Sequence, residues 1–183
     1  RNESELDSVY DAIMNAGGPT PAMVPCDLAT LTSEQAEALA EHLRENFGRL
    51  DGIAHIAGIL GGREPIQSHR PTQWDRAIQI NLTSIFQLTQ ALLPLLDESQ
   101  SGRIVFATSS VGIRIEAYWG AYAVSKAGLE MFAGILSQEL ENTSSTRVFT
   151  VNPGGTRTKM RAEAMPGENP ATLPSAEVVA DAF

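Results

Sequence analysis

Arg103-Ile104-Val105-Phe106-Ala107-Thr108-Ser109 is the stretch that decides the fold. Its continuous apolar run reads as a short buried strand of the kind found in parallel sheets covered by helices. In such sheets a ligand lies beyond the carboxyl ends of the strands, so the strand would release the Ser109 hydroxyl into a crevice there. Thirteen positions on, Tyr122-Ala123-Val124-Ser125-Lys126 sets a phenol and an ammonium four residues apart, a spacing that puts both on one helix face as a proton-transfer pair.

Outward from this stretch the chain alternates helical and strand patterns, which predicts an α/β domain with a doubly wound parallel sheet. A helix is expected over 3–16, ended by Gly17-Gly18-Pro19, then a short strand over 21–26 followed by Asp27-Leu28. Ser33 with Glu34 and Glu37 opens an amphipathic helix carrying Ala36, Leu39, Ala40, Leu43 and Phe47 and ending near Gly48. A second apolar strand covers 52–57, and a Gly-rich loop runs from Gly58 to Gly62. One long helix follows over 72–96, bent in its last turn by Pro94. Beyond the 103–108 strand, the Tyr122 helix spans 120–141 and a fourth strand spans 147–151. The rest, with Pro166, Pro170 and Pro174, reads as a mobile flap before a helix that is beginning at Phe183. Asp27, Gly58, Ser109 and the pair Pro153-Gly154 each follow a predicted strand, so all four fall at one edge of the sheet.

Composition limits the partners. With 43% hydrophobic and 19% charged residues the chain is a packed globule, and its 183 residues suffice for one core and one domain. A net charge of -9 repels phosphate backbones, which argues against nucleic acid and anionic membranes. No apolar run approaches the roughly 20 residues that span a bilayer. Cys26 stands alone, so no intrachain disulfide forms and a reducing, cytoplasmic setting is expected. His42, His55 and His69 lack metal-ligand spacing, and no metal site is expected. Gly58-x-x-Gly61-Gly62 lacks the Lys-Ser/Thr of a phosphate loop and reads as a flexible turn.

Asp27, His55-Ile56-Ala57-Gly58, Asn81, Ser109, Tyr122-x-x-x-Lys126 and Asn152-Pro153-Gly154 together resemble the short-chain dehydrogenase/reductase family over nearly the whole chain. Within it, Val111-Gly112, Trp119-Gly120-Ala121-Tyr122 and Gly154-Gly155-Thr156-Arg157-Thr158 look most like the YciK-type oxidoreductases. The resemblance implies a Rossmann-like, three-layer αβα fold. It also places the family's Gly-rich βα unit before Arg1 and its last strand beyond Phe183, so residues 1–183 read as one truncated domain. The family's Asn-Asn-Ala-Gly motif is altered, since His55 and Ile56 replace both asparagines.

The same resemblance implies NAD(P)-dependent hydride transfer between nicotinamide and a carbonyl or alcohol. Tyr122 would move the proton, Lys126 would favour the phenolate and bind the nicotinamide ribose, and Ser109 would hydrogen-bond the substrate oxygen. Asn81 would help hold a water that links Lys126 to solvent. Carried over as cofactor contacts are Asp27 and Leu28 at the adenine, Ala57 and Gly58 along the ribose, Pro153, Gly154, Thr156 and Thr158 at the carboxamide, and Arg1 at a 2′-phosphate, which inclines the cofactor to NADP over NAD.

Plainer readings stand beside these. Tyr-x-x-x-Lys by itself is usually an ordinary helix-surface pair. Ser110 competes with Ser109, but the 13-residue spacing to Tyr122 favours Ser109. Tyr118 reads as a liner of the substrate mouth, formed by 113–119 and a flap over 159–173. There Ile115, Trp119 and Met165 favour an apolar carbonyl compound, while Arg114, Arg157 and Arg161 favour an acidic one. The rival function is a non-catalytic binding or assembly protein. Either would form a homodimer or homotetramer through the helices 72–96 and 120–141, burying Ala77, Leu82, Phe86, Leu88, Ala127, Met131 and Ile135.

Overall fold

The computed structural model describes residues 3–181 and 183; Arg1, and with it the expected 2′-phosphate contact, lies outside them. The helices are α1 (Glu3–Asn15), α2 (Ser33–Phe47), α3 (Pro71–Ile78), α4 (Ser84–Asp97), α5 (Gly120–Leu140), α6 (Lys159–Ala164) and α7 (Ala176–Ala180). The strands are β1 (Gly52–His55), β2 (Arg103–Ala107) and β3 (Arg147–Val151), paired in parallel in the order β1-β2-β3. Register is set by pairs such as His55↔Phe106 and Phe106↔Thr150.

Among the described residues three strands pair where four were expected. Residues 21–26 run without regular structure. Pro21 and Pro25 remove two amide donors there, and a strand persists only where a neighbour completes its ladder. The cap of α2 also falls one residue earlier than Ser33. Thr32 accepts from the Gln35 amide at 3.3 Å, and the Gln35 side chain accepts from the Thr32 amide at 3.1 Å, a reciprocal capping box.

The long helix is interrupted. Gln79–Thr83 forms a π turn between α3 and α4, with the Ser84 amide donating to the Gln79 carbonyl five residues back. Such one-turn widenings recur at functional sites, and this one contains Asn81. The helix continues past Pro94 to Asp97.

One face of the sheet presents Ile104 and Phe106, both fully buried against Ile85 and Leu96 of α4 and Leu129, Ala133 and Leu136 of α5. Leu92 and Leu95 of α4 meet Ala40 of α2. The other face is thinly covered, and Phe149 stays 46% exposed. Burying one helix pair against β2 fixes α5 beside the strand end at Ser109, and this places the site.

Candidate active site

A cavity of about 370 Å³ opens at the carboxyl edge of the sheet. Gly58, Ser109, Tyr122, Lys126, Pro153, Gly154, Thr156 and Thr158 all line it, so eight of the residues singled out in the sequence meet at one place. The remainder stand elsewhere. Asn81 is fully buried behind the wall, and Asp27, Leu28 and Ala57 are not on the lining.

Ser109 follows β2 and leads into a short 3-10 turn, Ser110–Gly112, that returns the chain to α5. The approach is close, since a β-carbon on Gly112 would lie 2.9 Å from the Lys126 carbonyl carbon and 3.0 Å from the Ala127 amide nitrogen. Only glycine permits that contact without a shift of backbone. It brings the strand end against the helix turn carrying Tyr122 and Lys126.

Tyr122 and Ser109 both line the cavity, with the serine hydroxyl close enough to the phenol to act on its acidity. Burial pushes its pKa above the ordinary tyrosine value, and the serine hydrogen bond partly offsets that rise. Lys126 is 4% exposed; Nζ donates to the Ala107 carbonyl at 2.6 Å and stands 5.9 Å from the Tyr122 ring centroid. Burial lowers its pKa to about 8. Lysine and tyrosine share a face as expected, but the phenol is tuned by burial and Ser109, with the ammonium directed at the strand carbonyl.

Asn81 holds the backbone. Its side-chain oxygen accepts from the Ile59 amide at 2.8 Å, and its Nδ2 donates to the Ile59 carbonyl at 2.9 Å and to Ser125 Oγ at 3.0 Å. Ser125 Oγ in turn donates to the Tyr122 carbonyl at 2.8 Å. The π turn therefore pins the loop after β1 to the helix of the phenol. His55, in place of the family's asparagine, reaches Thr89 with Nε2 at 3.0 Å and stacks on Phe106 at 5.2 Å. Because Thr89 donates to the Ile85 carbonyl, it accepts from the histidine.

Thr158 caps α6 by accepting from the Arg161 amide at 3.1 Å, and Thr156 donates to the Pro153 carbonyl at 3.1 Å. Asp27 closes a turn by accepting from the Ala29 amide at 3.1 Å, and the Leu28 carbonyl accepts from Gln79 of the π turn at 3.4 Å.

Some expectations about the mouth change. Tyr118 is 57% exposed and off the lining, and Ile113 and Ile115 also face outward. From 113–119 only Trp119 reaches the cavity. Met160 and Ala164 line it from within the flap expected over 159–173, whereas Leu60 lines it and was not foreseen as a site residue. Leu60 lay between the glycines of a loop read as a flexible turn, and apolar liners carry no motif.

Residues 1–169 match the short chain dehydrogenase family, and the chain belongs to it. It is 44% identical over 173 residues to the uncharacterized oxidoreductase YciK of Escherichia coli K12, covering 94% of this chain and 68% of that protein. It is 37% identical over 135 residues to the (S)-benzoin-forming benzil reductase of Saccharomyces cerevisiae, covering 69% of this chain and 50% of that one. The crystal structure of a short chain dehydrogenase from Escherichia coli CFT073 complexed with NADPH superposes with a TM-score of 0.93 at 44% identity, covering 99% of this chain and 73% of that one.

Proposed function

We propose that this chain is the catalytic core of an NADP(H)-dependent oxidoreductase that interconverts a carbonyl compound and its alcohol. The observation that carries the reading is the convergence of Ser109, Tyr122 and Lys126 on one cavity.

The residues suit a dinucleotide. A β-carbon at Gly58 would stand 3.3 Å from the Asn81 side-chain oxygen and 3.8 Å from Lys126 Nζ, so glycine keeps open a slot beside the ammonium. Gly154, at φ 66, leaves a second wall free of side-chain bulk. Lys126 has donors beyond the one given to Ala107 and would hold ribose hydroxyls. Pro153, Gly154, Thr156 and Thr158 would bind the carboxamide end, and Ala57, Asp27 and Leu28 the adenosine end. Arg1 would meet the 2′-phosphate, and the NADPH complex of the Escherichia coli CFT073 relative supports NADP over NAD. Bound there, the nicotinamide supplies or accepts the hydride.

The chain's own residues handle the proton. Ser109 would donate to the substrate oxygen and share its developing charge. A phenol whose pKa is pushed up by burial is protonated at neutral pH and would deliver its proton to that oxygen when a carbonyl is reduced. Asn81 holds the loop and helix in register. Its two amide hydrogens are already engaged, so a water relay to Lys126 would use its other acceptor sites.

Phe86, Met131 and Ile135, exposed at 45%, 67% and 49%, would form the homodimer face along α4 and α5, whereas Ala77 is fully buried within the chain. We infer a cytoplasmic enzyme with a small-molecule substrate. The test is reduction of a carbonyl panel by the full-length protein with NADPH. Oxidation of NADPH that depends on both carbonyl and Tyr122 supports the reading, and cofactor binding without turnover would favour the non-catalytic rival.

A further inference from the structure

One arginine ties down the roof of the cavity. Arg63 leaves the loop after β1, where Gly61 at φ 72 and Gly62 at φ 97 turn the chain through left-handed backbone. A β-carbon at Gly61 would also lie 2.7 Å from the Ala77 β-carbon. Arg63 Nη1 donates to the Ala164 carbonyl at 2.5 Å and lies 3.1 Å from Met165 Sδ, and the guanidinium carbon is 4.8 Å from the centroid of the Trp119 ring. Three segments remote in sequence meet at this cation: the loop after β1, the residue before α5, and the end of α6.

Trp119 is inserted at a conformational cost. Tyr118 has φ 73 and Gly120 has φ 26. A tyrosine in left-handed backbone is disfavoured, and the solvent-exposed Tyr118 ring gains no burial in return. The distortion places the indole, which is 8% exposed and clusters with Leu60, Val111 and Ala164.

Charge inside the cavity is already committed. Among the described residues its charged liners are Lys126 and Arg161. Lys126 gives one donor to Ala107 and would give its others to the cofactor ribose, and Arg161 grips Glu168 with Nε at 2.6 Å and Nη2 at 2.7 Å. Arg114 and Arg157, the other arginines that favoured an acidic substrate, are off the lining. An acid entering here would lose its hydration without gaining a free cation.

We propose that Arg63 is a specificity-determining residue: by fastening α6 to Trp119 it closes the cavity around an uncharged carbonyl compound with a flat apolar body and excludes its carboxylated analogue. This deepens the oxidoreductase reading and rests on it for the identity of the pocket.

The test is calorimetric binding of acetophenone and of its para-carboxylate to the full-length protein, with NADPH turnover of both probes measured in parallel. Acetophenone is expected to bind at least about tenfold more tightly than the carboxylate. Arg63→Met, at an exposed position that leaves the core intact, is expected to weaken acetophenone binding by about tenfold, and Arg63→Lys to restore part of it by keeping a cation over the ring. Equal affinity for the two probes, binding of neither, or wild-type affinity in Arg63→Met would each overturn the proposal. Selective, Arg63-dependent binding without hydride transfer would sustain it and overturn the oxidoreductase reading instead.

Discussion

The wall and the roof of the cavity are built by different forces. The wall is β2 and α5, joined by the Gly112 contact at backbone distance, by the core around Phe106 and Leu129, and by the bond from Lys126 to the Ala107 carbonyl, with Asn81 and Ser125 bracing the helix from behind. The roof is α6 and α7 with the turns between them, held by an arginine on a tryptophan face and by the partly exposed pair Arg161–Glu168. The groups assigned to the proton are on the wall, and the groups that would choose the substrate reach in from the roof. Close packing holds an acid in place to fractions of an ångström, whereas polar straps at a surface can open and reclose.

That contrast can be broken at the wall first. Tyr122→Phe removes the proposed proton donor and is expected to cost about 10³-fold in turnover while NADPH affinity is retained. Parallel measurement of kcat and Kd checks it, and retained turnover removes Tyr122 from the mechanism.

The next largest effect comes from His55, whose burial holds its pKa at about 4, below the ordinary 6.5. The folded protein binds this proton less readily than the unfolded chain, so the stabilisation is whole above pH 6.5 and is lost as pH falls toward 4. About 3 kcal/mol of acid sensitivity is expected from this group. Denaturant titrations across that range should show it, and His55→Asn should flatten the curve.

Gly112→Ala is expected to destabilise by about 1–3 kcal/mol, because the new methyl meets backbone that cannot rotate away. Gly134→Ala, on the same helix with nothing within 4 Å of the added methyl, should instead stabilise by up to about 1 kcal/mol. A pair of thermal melts decides the sign of each.

Lys126 sharpens the comparison through pH. With its pKa lowered to about 8, the ammonium is present below that value and is lost above it, so NADPH affinity should fall as pH rises through 8. A Lys126→Ala variant should bind more weakly and show no such step in a fluorescence titration.

The smallest effect belongs to the roof. Glu168→Gln removes a pair whose side chains are 29% and 26% exposed, and should cost under about 1 kcal/mol in stability. Its signature should be faster proteolysis within 159–173 with the melting temperature of the core unchanged.

Much of the wall was legible because its signals are local or periodic. The apolar run ending at Ser109, the Tyr122-to-Lys126 spacing and the Pro153-Gly154 turn each announce an element and its end. The strand expected over 21–26 shows the limit, since a ladder needs a partner that no local pattern supplies. The π turn at Asn81 is similar: its sequence reads as plain helix, and the widened turn becomes visible only with the loop it grips. Leu60, Arg63 and Trp119 meet through contacts among segments roughly 40 to 100 residues apart, which periodicity cannot report.

The amino-acid sequence by itself determined the parallel α/β architecture, the family, and which hydroxyl, phenol and ammonium stand at the sheet edge, because strand ends and helix faces follow from residue spacing. The tertiary structure alone decided that the phenol is tuned by burial and Ser109, that Asn81 braces a loop, and that Arg63 and Arg161 are engaged. Each of these depends on which group lies within about 3 Å of another, and that distance is set only when remote segments pack.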